Sequence, residues 1–137
     1  MSADSPSSEP MHDAPTPPPV PPKRRGISRL IAAARYSFAG LSSAFRSEEA
    51  FRLECLALVV LSPLAFVLGD NALEVVLMIG SVMLLMIIEL LNTAVEAVVD
   101  RIGVEYHELS RQAKDIGSAA VFVGMMLVAF VWGLLLL

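Results

Sequence analysis

The fold is decided by one stretch of the sequence, Ile-Glu-Leu-Leu-Asn-Thr-Ala-Val-Glu-Ala-Val-Val-Asp-Arg-Ile-Gly at residues 88–103. An apolar run leads into it, and its polar residues from 89 to 100 are predicted to lie on one helix. At 100° per residue, its polar side chains fall within an arc of about 100°. We call them the polar stripe: Glu89, Asn92, Thr93, Glu96 and Asp100. An ionised carboxylate in lipid costs at least ~2.5 kcal/mol, so the stripe must face protein, water or cations.

The composition is that of a small integral membrane protein. Of 137 residues, 55% are hydrophobic, and the mean hydropathy of +0.66 is too high for a soluble domain of this size. The net charge of -4 says little, because all basic residues are confined to residues 23–52, Arg101 and residues 111–114. Cys55 is the only cysteine, which excludes an intrachain disulfide and a cysteine zinc site.

The first 46 residues contain two different segments. Eight of the nine prolines lie in residues 1–22, so we predict a disordered, proline-rich cytoplasmic tail at residues 1–27. No apolar stretch precedes Lys23, and we expect no signal peptide. Residues 28–46 have an apolar side and a basic side, which predicts an amphipathic helix in the membrane interface. The basic side suits anionic lipid headgroups or a nucleotide, and the pattern does not separate these.

Three apolar segments follow, at about residues 50–68, 72–99 and 117–137. Each is long enough to cross a ~30 Å hydrocarbon core. The predicted fold is therefore an all-α membrane protein with an N-terminal surface helix and three transmembrane helices. The 69–71 connection has no positive charge, whereas the N-terminal flank and a predicted loop at residues 101–114 contain all ten basic residues. The positive-inside rule then places the N-terminus and this loop in the cytoplasm and the C-terminus outside.

The chemistry open to the polar stripe is narrow. The sequence has no phosphate-binding glycine loop, no His-Glu-x-x-His and no Gly-x-Ser-x-Gly. Paired carboxylates can hold Mg²⁺ together with substrate phosphates, and another can accept a proton. A helix crosses the membrane in about 20 residues. Counted from residue 72, this places Glu89 just inside the cytoplasmic boundary and Glu96 about two turns further along the helix, in the cytosolic layer. In the structural alternative, Glu89 and Asn92 have no chemical role and only form a hydrogen-bonded pair that holds helices together.

Three stretches resemble the prokaryotic diacylglycerol kinase family, and the resemblance covers about residues 29–137. They are Glu-Glu-Ala-Phe-Arg-Leu-Glu at residues 48–54, the stripe segment at residues 89–103, and Glu-Tyr-His-Glu-Leu-Ser-Arg-Gln-Ala-Lys-Asp-Ile-Gly-Ser-Ala-Ala-Val at residues 105–121. The resemblance implies a homotrimeric lipid kinase of the bacterial inner membrane, which transfers the γ-phosphate of ATP to diacylglycerol and forms phosphatidic acid. It implies Mg²⁺ as cofactor, membrane lipids as partners and no nucleic acid.

The resemblance also implies roles for individual residues. Glu89 matches the general base, and Glu48 and Glu96 match the carboxylates that hold Mg²⁺ with ATP. The further positions that match nucleotide contacts are Arg29, Tyr36, Glu105, Tyr106, His107, Lys114 and Asp115. The positions that match site-shaping or lipid-contacting residues, besides Glu89, are Glu54, Asn92, Ser118 and Trp132. One departure is the segment Ser-Arg-Gln-Ala-Lys at residues 110–114, where the family has Ser-Gly-Arg-Ala-Lys.

Two other functions remain open at this point. A branch of the same family phosphorylates undecaprenol, and the catalytic segment does not distinguish it. A proton-coupled transporter or channel subunit, in which Glu89 titrates, belongs to a different class. It requires neither Lys114 and Asp115 nor a basic surface helix, so the kinase is favoured.

An oligomer is also predicted from the residues. One chain alone would leave much of the polar stripe facing lipid. The third span begins with small residues, which permit close helix packing. We therefore expect sites that lie between chains.

Overall fold

The computed structural model describes residues 26–103 and 105–137, so most of the predicted tail lies outside the described residues. Its four helices are α1 (Ile27–Ser47), α2 (Glu49–Leu68), α3 (Ala72–Ile102) and α4 (Glu108–Leu135), with no strand in the described part. The central helix is α3, which packs along α4 and, over a smaller area, along α2. Helices α2, α3 and α4 are each long and apolar enough to cross a membrane. The predicted all-α fold with three spans is confirmed.

Helix α1 is amphipathic and packs little against the other three helices. Only Ala32 and Ala44 of this helix are buried. The chain leaves α1 through Glu48, whose extended backbone turns it into α2. Arg52 Nη1 donates hydrogen bonds to the carbonyl oxygens of Phe45 and Arg46, at 3.3 and 3.4 Å. These bonds satisfy carbonyls that the end of a helix leaves without partners, and they tie the surface helix to the first span.

A tight turn joins α2 to α3. Asn71 Oδ1 caps α3 by accepting hydrogen bonds from the backbone N–H groups of Leu73 and Glu74 at 3.0 and 3.2 Å. The Glu74 carboxylate reaches back to the N–H of Asp70 at 2.9 Å, so two helix-end donors and the turn are satisfied together. A Cβ at Gly69 would come within 2.8 Å of Val75 Cγ2. Glycine therefore allows the close approach of the two helices.

The buried apolar core lies near this turn, in the half of the bundle that is predicted to face outside. It consists of Ala65, Met78 and Trp132, one from each span, surrounded by partly buried aliphatic side chains. Trp132 Nε1 donates a hydrogen bond to the carbonyl oxygen of Met78 at 3.2 Å. A buried indole N–H needs such a partner, and this bond links α4 to α3 across the core.

Helix α4 begins nine residues before the predicted third span. The expected loop at residues 101–114 is therefore wrong in extent: α3 continues to Ile102, and α4 starts at Glu108. The apolar pattern starts only after Lys114, but hydrogen bonds and charge pairs three and four residues apart stabilise a helix without apolar residues. Lys114 consequently lies on a helix that projects beyond the apolar segment.

Candidate active site

Two carboxylates are buried between α2 and α3, at the end of the bundle opposite the apolar core. Glu89 of α3 is 5% exposed and Glu54 of α2 is 9% exposed, and they are close enough to interact electrostatically. Glu54 Oε2 has no hydrogen-bond partner among the described residues. The expectation that one chain leaves the polar stripe facing lipid is thus wrong for Glu89, which this chain buries itself. Asp100, at the other end of the stripe, has a side chain that is 65% exposed.

The middle of the polar stripe is held by a hydrogen bond within α3. Asn92 Nδ2 donates to Glu96 Oε1 at 3.1 Å, an interaction between residues four apart on one helix face. Both side chains are half-buried. This bond restricts the orientation of the Glu96 carboxylate. The second oxygen, Oε2, takes no part in it.

The acidic residues at this end fit a magnesium ion that is shared with a nucleotide. Glu48 and Glu96 both lie within electrostatic range of Glu89, and both are half-buried. Residues 26–103 and 105–137 contain no group of three or more His, Cys, Asp or Glu side chains that could hold a metal ion. Mg²⁺ usually takes one or two protein carboxylates together with substrate phosphates. Glu48 and Glu96 are therefore candidate ligands for a metal that arrives with phosphate.

Next to the stripe, a cleft of about 430 Å³ opens where α3 ends and α4 begins. Its lining includes Asp100, Tyr106, His107, Arg111 and Lys114. Lys114 Nζ donates a hydrogen bond to Asp100 Oδ1 at 2.5 Å and links the two helices. Lys114 precedes the apolar part of α4, and this hydrogen bond raises the pKa of its ammonium group above the usual value. The cleft thus contains a lysine ammonium group that is paired with Asp100 of the polar stripe.

The mouth of the cleft is ordered by a network on the first turns of α4. His107 caps the helix, with Nδ1 accepting a hydrogen bond from the N–H of Leu109 at 3.2 Å. Arg111 bridges Glu108 and Asp115, with N–O distances of 2.5 Å to each. Tyr106 donates its hydroxyl hydrogen to Glu108 Oε2 at 2.7 Å. These side chains are exposed to solvent. Their network therefore orders the start of α4 and is not part of a buried core.

A second, apolar cavity of about 650 Å³ lies between α1 and the spans. Phe38 and Phe45 of α1, Phe51 and Cys55 of α2, and Met86 of α3 contribute to its lining. Met86 is three residues before Glu89 on α3, so the cavity reaches within about one helical turn of the buried carboxylates.

The structure does not bring all the predicted site residues together. Glu54, Glu89, Asn92 and Glu96 share one region, and Tyr106, His107 and Lys114 line the neighbouring cleft together with Glu105. Arg29 and Tyr36 are exposed on α1, and Ser118 is exposed on α4. Trp132 is packed in the apolar core, about 27 Å along α4 from Lys114 at 1.5 Å per residue. Within one chain, Trp132 is remote from the carboxylates.

Two contacts were not anticipated from the sequence. The ion pair between Asp100 and Lys114 joins residues 14 apart, and no local pattern predicts such a pair. The close approach of Gly117 to Asn92 likewise depends on how α4 packs on α3. The bridge from Arg111 to Glu108 and Asp115, in contrast, follows helix spacings of three and four residues and could have been found from the sequence.

Comparison with known proteins assigns the chain to a family. Residues 35–136 match the family described as prokaryotic diacylglycerol kinase. The chain is 55% identical over 111 residues to a diacylglycerol kinase from Haemophilus influenzae, covering 81% of this chain and 94% of the relative. It is 51% identical over 111 residues to that of Escherichia coli, covering 81% and 91%, and 48% identical over 112 residues to that of Pseudomonas aeruginosa, covering 82% and 91%. With nearly the whole length of these relatives matched, the chain belongs to the prokaryotic diacylglycerol kinase family.

Proposed function

We propose that this chain is a lipid kinase that transfers the γ-phosphate of ATP to diacylglycerol and forms phosphatidic acid and ADP. The observation that carries the proposal is the identity of 55% and 51%, over 81% of the chain, to relatives named diacylglycerol kinase. Undecaprenol as the main substrate is not favoured, because the relatives are named diacylglycerol kinase. A transporter is not favoured for the same reason.

In the proposed reaction, the free hydroxyl of diacylglycerol attacks the γ-phosphorus of ATP. A bond forms between the hydroxyl oxygen and this phosphorus, the bond to the bridging β,γ-oxygen breaks, and ADP leaves. The hydroxyl proton passes to the carboxylate of Glu89, which we assign as general base. The burial of Glu89 supports this role, because a buried carboxylate without a structural ion pair is uncommon and is usually functional. Glu54 lies beside it and would orient the hydroxyl.

The two openings next to these carboxylates suit the two substrates. The apolar cavity beneath α1 is lined by phenylalanines and Met86 and would take acyl chains, which favour an apolar surround. The cleft around Lys114 would take the nucleotide, since a lysine next to phosphates offsets their negative charge. His107, Tyr106 and Asp115 are proposed to contact the same nucleotide. Arg29 and Tyr36 would approach from the surface helix.

Glu48 and Glu96 are proposed to hold Mg²⁺ with ATP, and the Asn92 amide would keep Glu96 in position. When bound, Mg²⁺ would neutralise charge on the phosphates during transfer. Neither carboxylate is fixed by an ion pair with a basic side chain in the described residues, which leaves both able to act as ligands.

We further propose the membrane arrangement of the enzyme. The segments that contain the basic residues, residues 23–52 and 101–114, would lie on the cytoplasmic side, with the turn at residues 69–71 and the C-terminus outside. The site would then meet cytoplasmic ATP at the inner membrane of a bacterium. Three chains would form a homotrimer, so that residues from a neighbouring chain could complete each site.

The test is an assay of the purified protein in lipid nanodiscs with Mg²⁺ and ATP labelled on the γ-phosphate. Diacylglycerol and undecaprenol are offered separately and then together. We expect labelled phosphatidic acid as the main product, formed at least about 10²-fold more slowly by the Glu89→Gln variant. If undecaprenol is labelled preferentially, undecaprenol and not diacylglycerol is the main substrate. If neither alcohol becomes labelled, the assignment as a lipid kinase is overturned.

A further inference from the structure

The side chain of Asn92 is held from two directions. Its Nδ2 donates to Glu96 Oε1, whereas its Oδ1 is buried and accepts no hydrogen bond from the described residues. This oxygen lies against Gly117 of α4. A Cβ on Gly117 would overlap Asn92 Oδ1 and would lie 3.2 Å from Asn92 Cγ. The amide therefore occupies the space that any side chain at position 117 would need.

The contact leaves the amide little freedom. With Oδ1 against the backbone of α4, Nδ2 points along α3 to Glu96. A Cα–H group next to a carbonyl-type oxygen can also form a weak hydrogen bond, which recurs where helices approach closely. An alanine at position 117 would force the amide to rotate or the helices to separate. Either response breaks the geometry of the bond from Asn92 to Glu96.

We propose that Gly117 is a positioning residue, which sets the orientation of the Glu96 carboxylate through Asn92 and thereby tunes metal-nucleotide binding. The inference rests on the proposed function, because it takes Glu96 as a ligand of Mg²⁺ bound with ATP. Groups that orient a metal ligand typically change metal affinity or activity 10–100-fold when they are lost. Gly117 belongs to this class although it has no side chain.

Gly124 provides a matched control. It lies seven residues after Gly117 on the same face of α4 and also packs against α3. A Cβ at Gly124 would come within 2.9 Å of Leu85 Cδ1 and 3.2 Å of Ile88 Cδ1. These atoms are the ends of flexible apolar side chains and belong to no polar network. Gly124→Ala therefore crowds the same two helices without touching the amide.

The experiment measures metal binding apart from turnover. Mn²⁺ binding to the purified protein with a non-hydrolysable ATP analogue is followed by electron paramagnetic resonance, and Mg²⁺ titrations of the initial rate are run in parallel. For Gly117→Ala we expect a rise of about tenfold or more in the Kd of Mn²⁺ and in the half-maximal Mg²⁺ concentration. For Gly124→Ala both values should stay within about twofold of the wild type, whatever the change in thermal stability.

A double-mutant cycle identifies the route of the effect. In an Asn92→Ala background the overlap is absent, because the Cβ of residue 92 lies 3.9 Å from a Cβ at position 117. Adding Gly117→Ala to this background should change the Kd of Mn²⁺ by less than about twofold, since the two substitutions remove the same interaction. An equally large effect in both backgrounds would overturn the proposal, as would a Gly124→Ala variant that loses metal affinity to the same extent.

Two further outcomes are separated by the design. If Gly117→Ala does not fold, Asn92→Ala carries the test, because it keeps Gly117 and removes only the amide. It must raise the Kd of Mn²⁺ about tenfold or more, and an unchanged value contradicts the proposal. If the wild-type protein binds Mn²⁺ and nucleotide but phosphorylates no lipid, the proposed function fails, and the cycle still decides the role of Gly117.

Discussion

At the scale of single residues, the chain buries a carboxylate at a position where an apolar residue would give a more stable fold. Glu89 is 5% exposed, lies beside another acid, Glu54, and has no basic partner among the ion pairs of the described residues. A group of this kind lowers stability, and it is expected where function requires it. The structural alternative, a hydrogen-bonded pair of Glu89 and Asn92, is not what the structure has: Asn92 bonds to Glu96 instead.

The first prediction concerns Glu89→Gln. The amide keeps the shape of the side chain but cannot accept the hydroxyl proton, so turnover should fall by about 10²–10⁴-fold with nucleotide binding retained. Turnover is measured with diacylglycerol and ATP, and binding with an ATP analogue. The control is Glu74→Gln, a carboxylate at the other end of the same helix that bonds only to the turn. A loss of less than about tenfold in the Glu89 variant would remove the general-base role.

The second prediction concerns the two proposed metal ligands. Glu48→Gln and Glu96→Gln should each raise the Mg²⁺ concentration for half-maximal rate, because an amide is a weaker ligand for a hard cation than a carboxylate. Glu49→Gln, next to Glu48 and exposed on the first turn of α2, is the matched control. An Mg²⁺ dependence that stays the same in all three variants would assign Glu48 and Glu96 to structure.

At the scale of helices, apolar patterns predicted the three spans and the starts of α2 and α3, but not the start of α4. The limits of α2 and the start of α3 agree with the apolar segments to within one residue. The start of α4 does not agree, since mostly polar residues extend this helix beyond the apolar segment. Contacts between helices, such as Gly117 against Asn92, depend on the rotation of α4 about its axis. The sequence pattern shows which face of each helix is apolar, but not which helix packs against that face.

The third prediction separates two roles of Trp132. In the structure its indole donates to the carbonyl of Met78 and fills the core. Trp132→Phe removes that hydrogen bond, worth about 0.6 kcal/mol on average within membrane bundles, and leaves part of the core unfilled, so stability should fall by at least this amount. Thermal inactivation measures this change, and the exposed Phe130→Leu serves as control. An unchanged stability together with a raised KM for diacylglycerol would instead place Trp132 in contact with the lipid, as the family resemblance implies.

At the scale of the whole molecule, one chain leaves most of its apolar surface uncovered. Only a small part of each span is buried, and the apolar surface of α2, α3 and α4 must meet lipid or other chains. The chain covers Glu89 by itself but leaves Asp100 and the cleft around Lys114 open. A site completed by a neighbouring chain would therefore be completed at the end of the bundle where Asp100 and Lys114 lie. The sequence predicted an oligomer because one chain would leave much of the polar stripe facing lipid. In the structure the stripe is buried at Glu89 and exposed at Asp100, and the oligomer stays a prediction.

The last prediction tests whether the sites are shared between chains. Glu89→Gln protein and Lys114→Met protein should each be inactive, the first without a base and the second without the cation next to the phosphates. If one site draws Glu89 and Lys114 from neighbouring chains of a closed ring, mixed oligomers contain some sites with neither substitution. Equal mixing should then restore about a quarter of the wild-type activity, because each site needs two specific neighbours. Mixing two separately tagged Glu89→Gln proteins is the control, and purification through both tags verifies that mixed oligomers form. If these mixed oligomers form and every preparation stays as inactive as its parents, each chain must build its own site.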